Sequence, residues 1–197
     1  MSLRELLIED EENIYDEHIK DLHIDNKKIK NKTLQDINFS NVEIIESEFN
    51  NVFFENVTFE KCDLSNTKFI DCGFKKVTID NSKMIGTNII TSHFNEVIIK
   101  NSKCRYLNLA DLKTKQLEIN DSDLTESSLF NIELIKFKTD NTNYQKSEIT
   151  ETILRDIDFS RCNIEDIRID QKSIKGIKVN TLQALDLLKL FDINIIE

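Results

Sequence analysis

Cysteine, histidine and carboxylate side chains are the groups of this chain suited to nucleophilic, metal or acid–base chemistry, and their spacing supports none of the three. The cysteines and histidines form no CxxC or HExxH pattern; they stand at Cys62, Cys72, Cys104 and Cys162 and at His18, His23 and His93. His93 has no serine or carboxylate at a matching spacing that would build a catalytic triad. We therefore expect no catalytic residue, no metal site and no cofactor, and we predict that the protein is not an enzyme.

Charge and hydropathy restrict the classes of partner. Acidic residues outnumber basic residues by 36 to 26, which gives a formal net charge of −10. That excess disfavours direct binding of nucleic acid, because phosphate backbones are bound by clustered lysines and arginines, and it favours a basic partner. No apolar stretch approaches the roughly 18 residues that span a bilayer. Residues 1–12 turn acidic where a signal peptide would be basic and then apolar, so we predict a cytoplasmic protein without membrane contact.

The dominant pattern in the chain is a period of five residues. Every fifth residue from Ile19 to Val179 is apolar at 31 of 33 positions, where the average apolar content of 39% predicts about 13. We call these positions the centres of the units. Between Ile37 and Ile177, the residue two before each centre is Ser, Thr, Cys, Val or Ile in 24 of 29 cases. Two inward residues that are two positions apart indicate a short strand. Because five is odd, strict alternation would turn the next centre outward, so the backbone must turn a corner in every unit.

The corners predicted by this period are not ordinary hairpin turns. The chain has no proline and only three glycines, whereas tight hairpin turns depend on glycine. A backbone that turns in the same sense every five residues closes into a coil and stacks on itself. The three cysteines at the small inward position, Cys62, Cys72 and Cys162, are then expected to fill the core.

Individual units resemble a known family. Cys62-Asp63-Leu64-Ser65-Asn66 and Ser122-Asp123-Leu124-Thr125-Glu126 are similar to the A(D/N)LXX units of pentapeptide-repeat proteins. The resemblance covers residues 19–180 and implies an all-β fold, a right-handed quadrilateral β-helix with 20 residues per coil. About eight coils at the β spacing of ~4.8 Å would make a rod of roughly 40 Å. Phe54, Phe74 and Phe94 would lie in one vertical ladder inside it.

Two alternatives remain open between Cys104 and Leu117. Ala110-Asp111-Leu112 is a better unit than the in-phase Leu107-Asn108-Leu109. The segment either stays in register or forms a bulge that slips by three residues and recovers before Ile119.

Both ends differ from the repeats. Residues 1–18 are predicted to form an N-terminal cap, with a short helix that starts from the capping-box spacing of Ser2 and Glu5. Residues 181–197 are predicted to form a helix and a strand, with Thr181 as the N-cap and a strand from Ile193 to Ile196. The apolar face of that helix consists of Leu182, Leu185, Leu188 and Phe191, widened by Leu187.

Sorting outward residues by face shows an asymmetric charge. From residue 36 to residue 179, the two adjacent faces centred on Ile44 and Phe49 carry 13 acids against 6 bases, and the other two carry 11 against 12. The excess is typical of a solvated surface as well as of a binding surface. The acids that we select as candidates for partner binding are Glu43, Glu46, Asp63, Asp71, Asp111 and Asp123. A stripe of outward apolar residues is the other candidate, and it consists of Ile70, Ile90, Ala110 and Phe130.

The ends of the repeat region resemble one branch of the family. The entry around Glu17-His18-Ile19 and the exit Ile177-Lys178-Val179-Asn180 look like those of the Qnr and MfpA proteins. This resemblance implies a homodimer that mimics DNA and binds a type II DNA topoisomerase. It implies dimerisation through Leu185, Leu188, Phe191, Ile193 and Ile195.

The chain departs from Qnr proteins in one respect. Its nearly unbroken register leaves no room for a long projecting loop, which favours topoisomerase binding over protection from quinolones. The alternative function is a protein-interaction scaffold or an immunity factor that binds another protein.

Overall fold

The computed structural model describes residues 13–191 as a β-solenoid of about eight coils with one short helix at its C-terminal end. The helix expected from Ser2 and the strand expected from Ile193 to Ile196, with Ile193 and Ile195, lie outside the described residues. The strands are β1 Asn13–Tyr15, β2 His18–Lys20, β3 His23–Asp25, β4 Lys28–Gln35, β5 Asn38–Ser40, β6 Glu43–Ile45, β7 Glu48–Glu60, β8 Lys68–Ile70, β9 Gly73–Asp80, β10 Asn88–Ile90, β11 His93–Lys100, β12 Asn108–Thr114, β13 Leu117–Asn120, β14 Ser128–Leu134, β15 Phe137–Asp140, β16 Glu148–Thr150 and β17 Arg168–Ile169. The helix α1, Thr181–Leu188, is followed by a 3-10 turn, Lys189–Phe191.

Successive coils pair in parallel with a shift of 20 residues. Phe54 is paired with Leu34 below and with Phe74 above, and the same shift relates every strand pair of the solenoid. The predicted right-handed quadrilateral β-helix is confirmed. We number its four faces by their centres: face 1 from Ile24, face 2 from Ile29, face 3 from Leu34 and face 4 from Phe39, each continuing at every twentieth residue.

The corners use left-handed backbone two residues after a centre. Within residues 13–191, twenty-seven residues other than glycine have positive φ there, together with Gly86 and Gly176. Eighteen of the 27 are Asn or Asp, whose short polar side chains tolerate this conformation. The side chains also bond from coil to coil, as where Asn51 Nδ2 donates to Asn31 Oδ1 at 2.9 Å. Asparagine and aspartate therefore replace glycine and proline as the turn residues of this chain.

On face 1 the units are β-turns from Leu64 onwards, whereas faces 3 and 4 form such turns only in the last coils, as at Leu154 and Phe159. Thr67 N–H donates to the carbonyl of Leu64 at 3.2 Å, and Asp63 Oδ1 accepts from the N–H of Ser65 at 3.1 Å. Coils on this face are joined by isolated bridges, such as the one from Asp63 to Lys83. Faces 2, 3 and 4 supply the longer strands.

Aromatic rings form vertical columns inside the rod. The centroids of Phe54 and Phe74 are 5.0 Å apart with an interplanar angle of 12°. Phe94 continues the column above Phe74 at 5.0 Å, but its ring is turned by 77°. Phe39 stacks on Phe59 in the same way on face 4. The predicted ladder of Phe54, Phe74 and Phe94 is confirmed.

The small inward position is filled by residues that satisfy the backbone. Cys62 N–H donates to Ser82 Oγ at 2.9 Å, and Ser82 N–H donates to Ser102 Oγ at 3.1 Å in the next coil. All four cysteines are free and buried. Burial raises the pKa of Cys62 and of Cys72 to about 11, so both remain neutral thiols that fill the core.

The segment from Cys104 to Leu117 stays in register, and the alternative of a bulge is wrong. Leu109 pairs with Ile89 below and with Leu129 above. Leu107, Leu112 and Leu117 are buried at the small inward position, so the larger side chains are accommodated without a slip. A local shift occurs instead at Lys172, which is exposed, because Ser173 takes the inward position and accepts from Thr152 N–H at 3.0 Å.

The ends of the solenoid differ from the predicted boundaries. Coil pairing starts six residues before the expected boundary at residue 19, since Ile14 is buried and pairs with Leu34. The N-cap of α1 is Asn180, not Thr181, because Asn180 forms a capping box with Gln183. Gln183 Nε2 also donates to the carbonyls of Phe159 at 2.9 Å and Cys162 at 2.6 Å. The helix therefore covers the last coil through Gln183 and Leu187, which are its buried residues.

Within residues 13–191, no helix is long and apolar enough to cross a bilayer.

Candidate functional site

The candidate acids occupy three vertical columns of the rod. Glu43, Asp63 and Asp123 stand before the centres of face 1, in one column with Lys83 and Lys103. Glu46 lies at the corner that follows face 1, and Asp71 and Asp111 lie at the corner that follows face 2. All six point away from the core, as the five-residue period predicted.

Most of these carboxylates already have partners one coil away. Glu43 accepts from the ring of His23 at 2.8 Å, and Asp63 accepts from Lys83 Nζ at 3.0 Å. At the corner after face 2, Asp71 accepts from Thr91 Oγ1 at 2.6 Å and Asp111 accepts from Asn131 Nδ2 at 2.6 Å. These bonds hold the side chains in single positions on the surface.

The pKa of Asp63 illustrates the balance at this surface. Partial burial disfavours its charged form, but hydrogen bonds from Ser65 and Lys83 outweigh that effect and hold the pKa of the carboxyl below its ordinary value. Asp63 is therefore ionised at neutral pH.

Face 1 is not uniformly acidic. Lys83, Lys103 and Arg105 lie between a lower acidic group, Glu43, Glu46 and Asp63, and an upper group that begins at Asp123. Asp63 and Asp123 are three coils apart, or ~14 Å at the usual strand spacing. The excess of acids predicted for this edge is thus divided into two patches by a basic band, a feature that face totals alone did not reveal.

The apolar stripe is present on face 2. Register places Ile70, Ile90, Ala110 and Phe130 directly above one another. The first three are half-buried, and Phe130 is 42% exposed. The stripe depends on the register at Ala110, which the structure maintains. It runs beside the corner that carries Asp71 and Asp111, so apolar and acidic groups adjoin.

The C-terminal helix leaves part of its apolar surface uncovered. Leu185 is 42% exposed and Phe191 is 44% exposed, whereas Leu188 is half-buried. Leu187 packs on the last coil instead of widening the free face. Of the predicted dimer residues in the described part of the chain, Leu185 and Phe191 are the more accessible.

Histidines and cysteines do not assemble into a metal site. Among residues 13–191, no group of three or more His, Cys, Asp or Glu side chains lies in an arrangement that would hold a metal ion. His93 is exposed on face 3, and His23 is engaged with Glu43.

Sequence reasoning missed a cleft on faces 3 and 4, lined in part by Phe137, Thr139 and Asp158. The sequence feature that could have indicated this cleft is Thr139, which is polar although it is the centre of a five-residue unit.

Comparison with known proteins agrees with this geometry. Residues 52–129 match the family model described as a pentapeptide repeat region. The 20-residue register continues on both sides of that stretch. This stretch is similar to the pentapeptide-repeat family, and the described solenoid matches the fold of that family.

Several solved structures are similar to this chain at low sequence identity. A trypsin-treated variant of QnrB1, a plasmid-mediated fluoroquinolone resistance protein, is 18% identical, with 92% of this chain and 99% of that chain covered and a TM-score of 0.40. HetL, involved in heterocyst differentiation regulation in Nostoc sp. strain PCC 7120, is 12% identical, with coverage of 90% and 94% and a TM-score of 0.33. Rfr23 from Cyanothece 51142 is 10% identical, with coverage of 86% and 92% and a TM-score of 0.23. No curated protein matches the sequence.

Proposed function

We propose that this protein is a non-enzymatic, cytoplasmic homodimer whose acidic edge mimics DNA. In this proposal it binds a type II DNA topoisomerase, gyrase or topoisomerase IV, and modulates it, with resistance to quinolones or gyrase poisons as one consequence. The observation that carries the proposal is the excess of 13 acids over 6 bases on faces 1 and 2 from residue 36 to residue 179. A basic groove that accepts the DNA backbone is complementary to such an edge.

Rigidity supports the proposal. The acids stand on a backbone whose stacking is set by hydrogen bonds between coils, and Asp71 and Asp111 are bonded to neighbouring side chains. Fixed carboxylates lose little conformational entropy on binding, unlike those of a disordered acidic tail. The division of face 1 into two patches predicts contact at two points of the groove.

Dimerisation is supported by the free side of α1 and the turn after it. Leu185 and Phe191 are exposed although they belong to an apolar helix face. The exit of the repeat region also resembles that of the Qnr and MfpA branch, which dimerises through this element.

Charge reversal provides the test. Replacing Glu46, Asp63, Asp71 and Asp111 with lysine should abolish inhibition or protection when the protein is titrated into gyrase supercoiling assays with and without a quinolone. The fold should tolerate these changes. Lys61, Lys76 and Lys146 already occupy the left-handed corner position, and Lys83 lies in the column of Asp63.

The matched control reverses four acids of faces 3 and 4: Asp36, Glu55, Asp80 and Glu96. Its binding to the enzyme should change much less. Binding of the wild-type protein should weaken steeply with salt and be displaced by duplex DNA. Equal binding by both quadruple variants, or no binding by the wild type, would refute the proposal.

A second candidate is an interaction scaffold or immunity factor that binds another protein without mimicking DNA. The apolar stripe on face 2 favours it, because four stacked apolar residues suit a protein interface better than a groove for phosphates. Replacing Ile90 and Phe130 with lysine distinguishes the two candidates. Under the scaffold function this change abolishes partner binding, while the acidic quadruple variant retains it.

A further inference from the structure

The ladder between coils is interrupted on faces 3 and 4. In the regular pattern of face 4, Asp121 N–H donates to the carbonyl of Asp140 in the next coil at 3.0 Å. Among the described residues, no backbone hydrogen bond joins 137–141 to 158–160. The strand β15 therefore pairs with β13 on one side only. By the alternation of a parallel ladder, the N–H groups of Thr139 and Asn141 point into the gap.

The coil above the gap satisfies its own polar groups. Asp158 Oδ1 accepts from Ser160 N–H at 2.8 Å, and the carbonyl of Ser160 accepts from Asn180 Nδ2 at 2.9 Å. The N–H and the carbonyl of Ser160 therefore both have partners other than β15. The open edge thus belongs to β15 alone.

The gap forms a cleft of about 410 Å³ with an acidic lining. Its charged residues are four carboxylates, Glu118, Asp140, Asp156 and Asp158, and two cations, Lys138 and Arg161. Arg161 pairs with Asp140 at 3.0 Å and Lys138 pairs with Glu118 at 3.8 Å, which leaves Asp156 and Asp158 without a cation from the lining. Asp156 lies 3.9 Å from Lys178, which is outside the lining. The hydrogen bonds from Ser160 hold the pKa of Asp158 below its ordinary value, so this carboxylate is charged at neutral pH. A cationic occupant is complementary to this lining.

Two exposed apolar side chains lie close in sequence to the lining of the cleft, two residues before Phe137 and three before Asp156. Ile135 is 75% exposed and Ile153 is 60% exposed. They stand on face 3 in the two coils that bound the gap. No other large apolar side chain between residues 13 and 180 is as exposed as either of them.

We propose that the cleft between residues 133–141 and 153–161 binds an extended segment of a partner protein in which apolar residues alternate with lysine or arginine. The segment adds to the free edge of β15, so that its carbonyls accept from Thr139 and Asn141 N–H. Its apolar side chains contact Ile135 and Ile153, and its cations meet Asp156 and Asp158. This site lies away from the acidic edge of faces 1 and 2 and does not depend on the function proposed above.

Three fluorescein-labelled hexapeptides test the proposal by fluorescence anisotropy: alternating Val and Lys, alternating Val and Glu, and alternating Gly and Lys. The first should bind saturably and the other two should not. Replacing Ile135 and Ile153 with lysine should weaken binding at least tenfold, and Asp156→Asn should weaken it less. The matched control replaces Phe53, five coils below Ile153 on face 3, and Tyr106, at the corner after face 1, with lysine and should bind as the wild type does.

Amide exchange gives an independent measurement. In the free full-length protein, the amides of Thr139 and Asn141 should exchange faster than the bonded amide of Asp121, and saturating peptide should slow them. The proposal is overturned if both amides are already protected in the free protein. It is also overturned if the Gly and Lys peptide binds equally well, or if both double variants bind alike.

Light scattering tests for a second copy as the occupant. If the Ile135 and Ile153 double variant has a smaller assembly than the wild type, a second copy occupies the cleft and the proposal is wrong. Gyrase assays with this variant should match the wild type. A failure of peptide binding is therefore distinguishable from a failure of the topoisomerase proposal.

Discussion

The hydroxyl of Tyr144 lies 2.8 Å from Oγ1 of Thr139 inside the rod. Tyr144 is completely buried, and this burial raises the pKa of its phenol far above the ordinary value, so the group stays protonated. Thr139 Oγ1 is also 3.7 Å from Cys162 Sγ. A small polar network therefore replaces apolar packing at the level where β15 loses its upper neighbour.

Removing one member of this network should destabilise the protein. Thr139→Val leaves the Tyr144 hydroxyl without its partner, which costs about 1–3 kcal/mol for a buried group. Adding Tyr144→Phe should recover part of that loss, because the unpaired hydroxyl is then absent. Urea unfolding of both single variants and of the double variant measures the coupling. Strictly additive losses would show that the hydrogen bond does not contribute.

The aromatic column on face 3 should be sensitive to truncation. Phe74 lies between Phe54 and Phe94, and its side chain is buried. Phe74→Ala should lower the free energy of unfolding by about 3–5 kcal/mol, because the stacked coils cannot close the cavity. Phe53→Ala is the matched control, since this ring is 37% exposed and should cost much less. Comparable losses in chemical denaturation would contradict the buried column.

Stability should fall in alkaline solution through the buried thiols. Burial raises the pKa of Cys62 from 9.0 to about 11. Between pH 9 and pH 11 the thiol loses its proton in the unfolded chain but keeps it in the folded protein. Deprotonation therefore stabilises the unfolded state, and the free energy of unfolding falls as the pH rises. Cys62→Ser should reduce this fall, and serine fits because Ser82 and Ser102 occupy the same column. Urea denaturation at several pH values compares the two proteins; identical pH profiles would exclude a contribution from Cys62.

Dimerisation should depend on the exposed side of α1 and the turn after it. Leu185→Glu with Phe191→Glu should give a folded monomer, since both side chains are exposed and the rod core lies elsewhere. Leu187→Glu should instead destabilise the last coil, because Leu187 is buried. Light scattering at micromolar concentration and circular dichroism distinguish these outcomes. A monomeric wild type would refute the dimer.

The sequence by itself determined a stacked coil and the side chains that point inward, and its resemblance to pentapeptide repeats implied the coil length. The inward positions can be recognised within each unit, because they are two residues apart and recur every five residues. This spacing is compatible with a coil and with neither a helix nor a plain strand. The period alone therefore assigns Phe54 and Phe74 to the interior and Asp63 and Asp71 to the surface. The resemblance to pentapeptide repeats, which implies 20 residues per coil, places the two phenylalanines in one column.

Only the tertiary structure decided the features that depend on two coils at once. Inward Ser173 replaces Lys172, Leu187 turns towards the last coil, and Asp63 is paired with Lys83, because each depends on contacts with residues about 20 positions away. The open edge of β15 has the same origin. Thr139 is one departure in a regular pattern, but the absence of backbone hydrogen bonds between residues 137–141 and 158–160 involves two coils, and no local pattern predicts it.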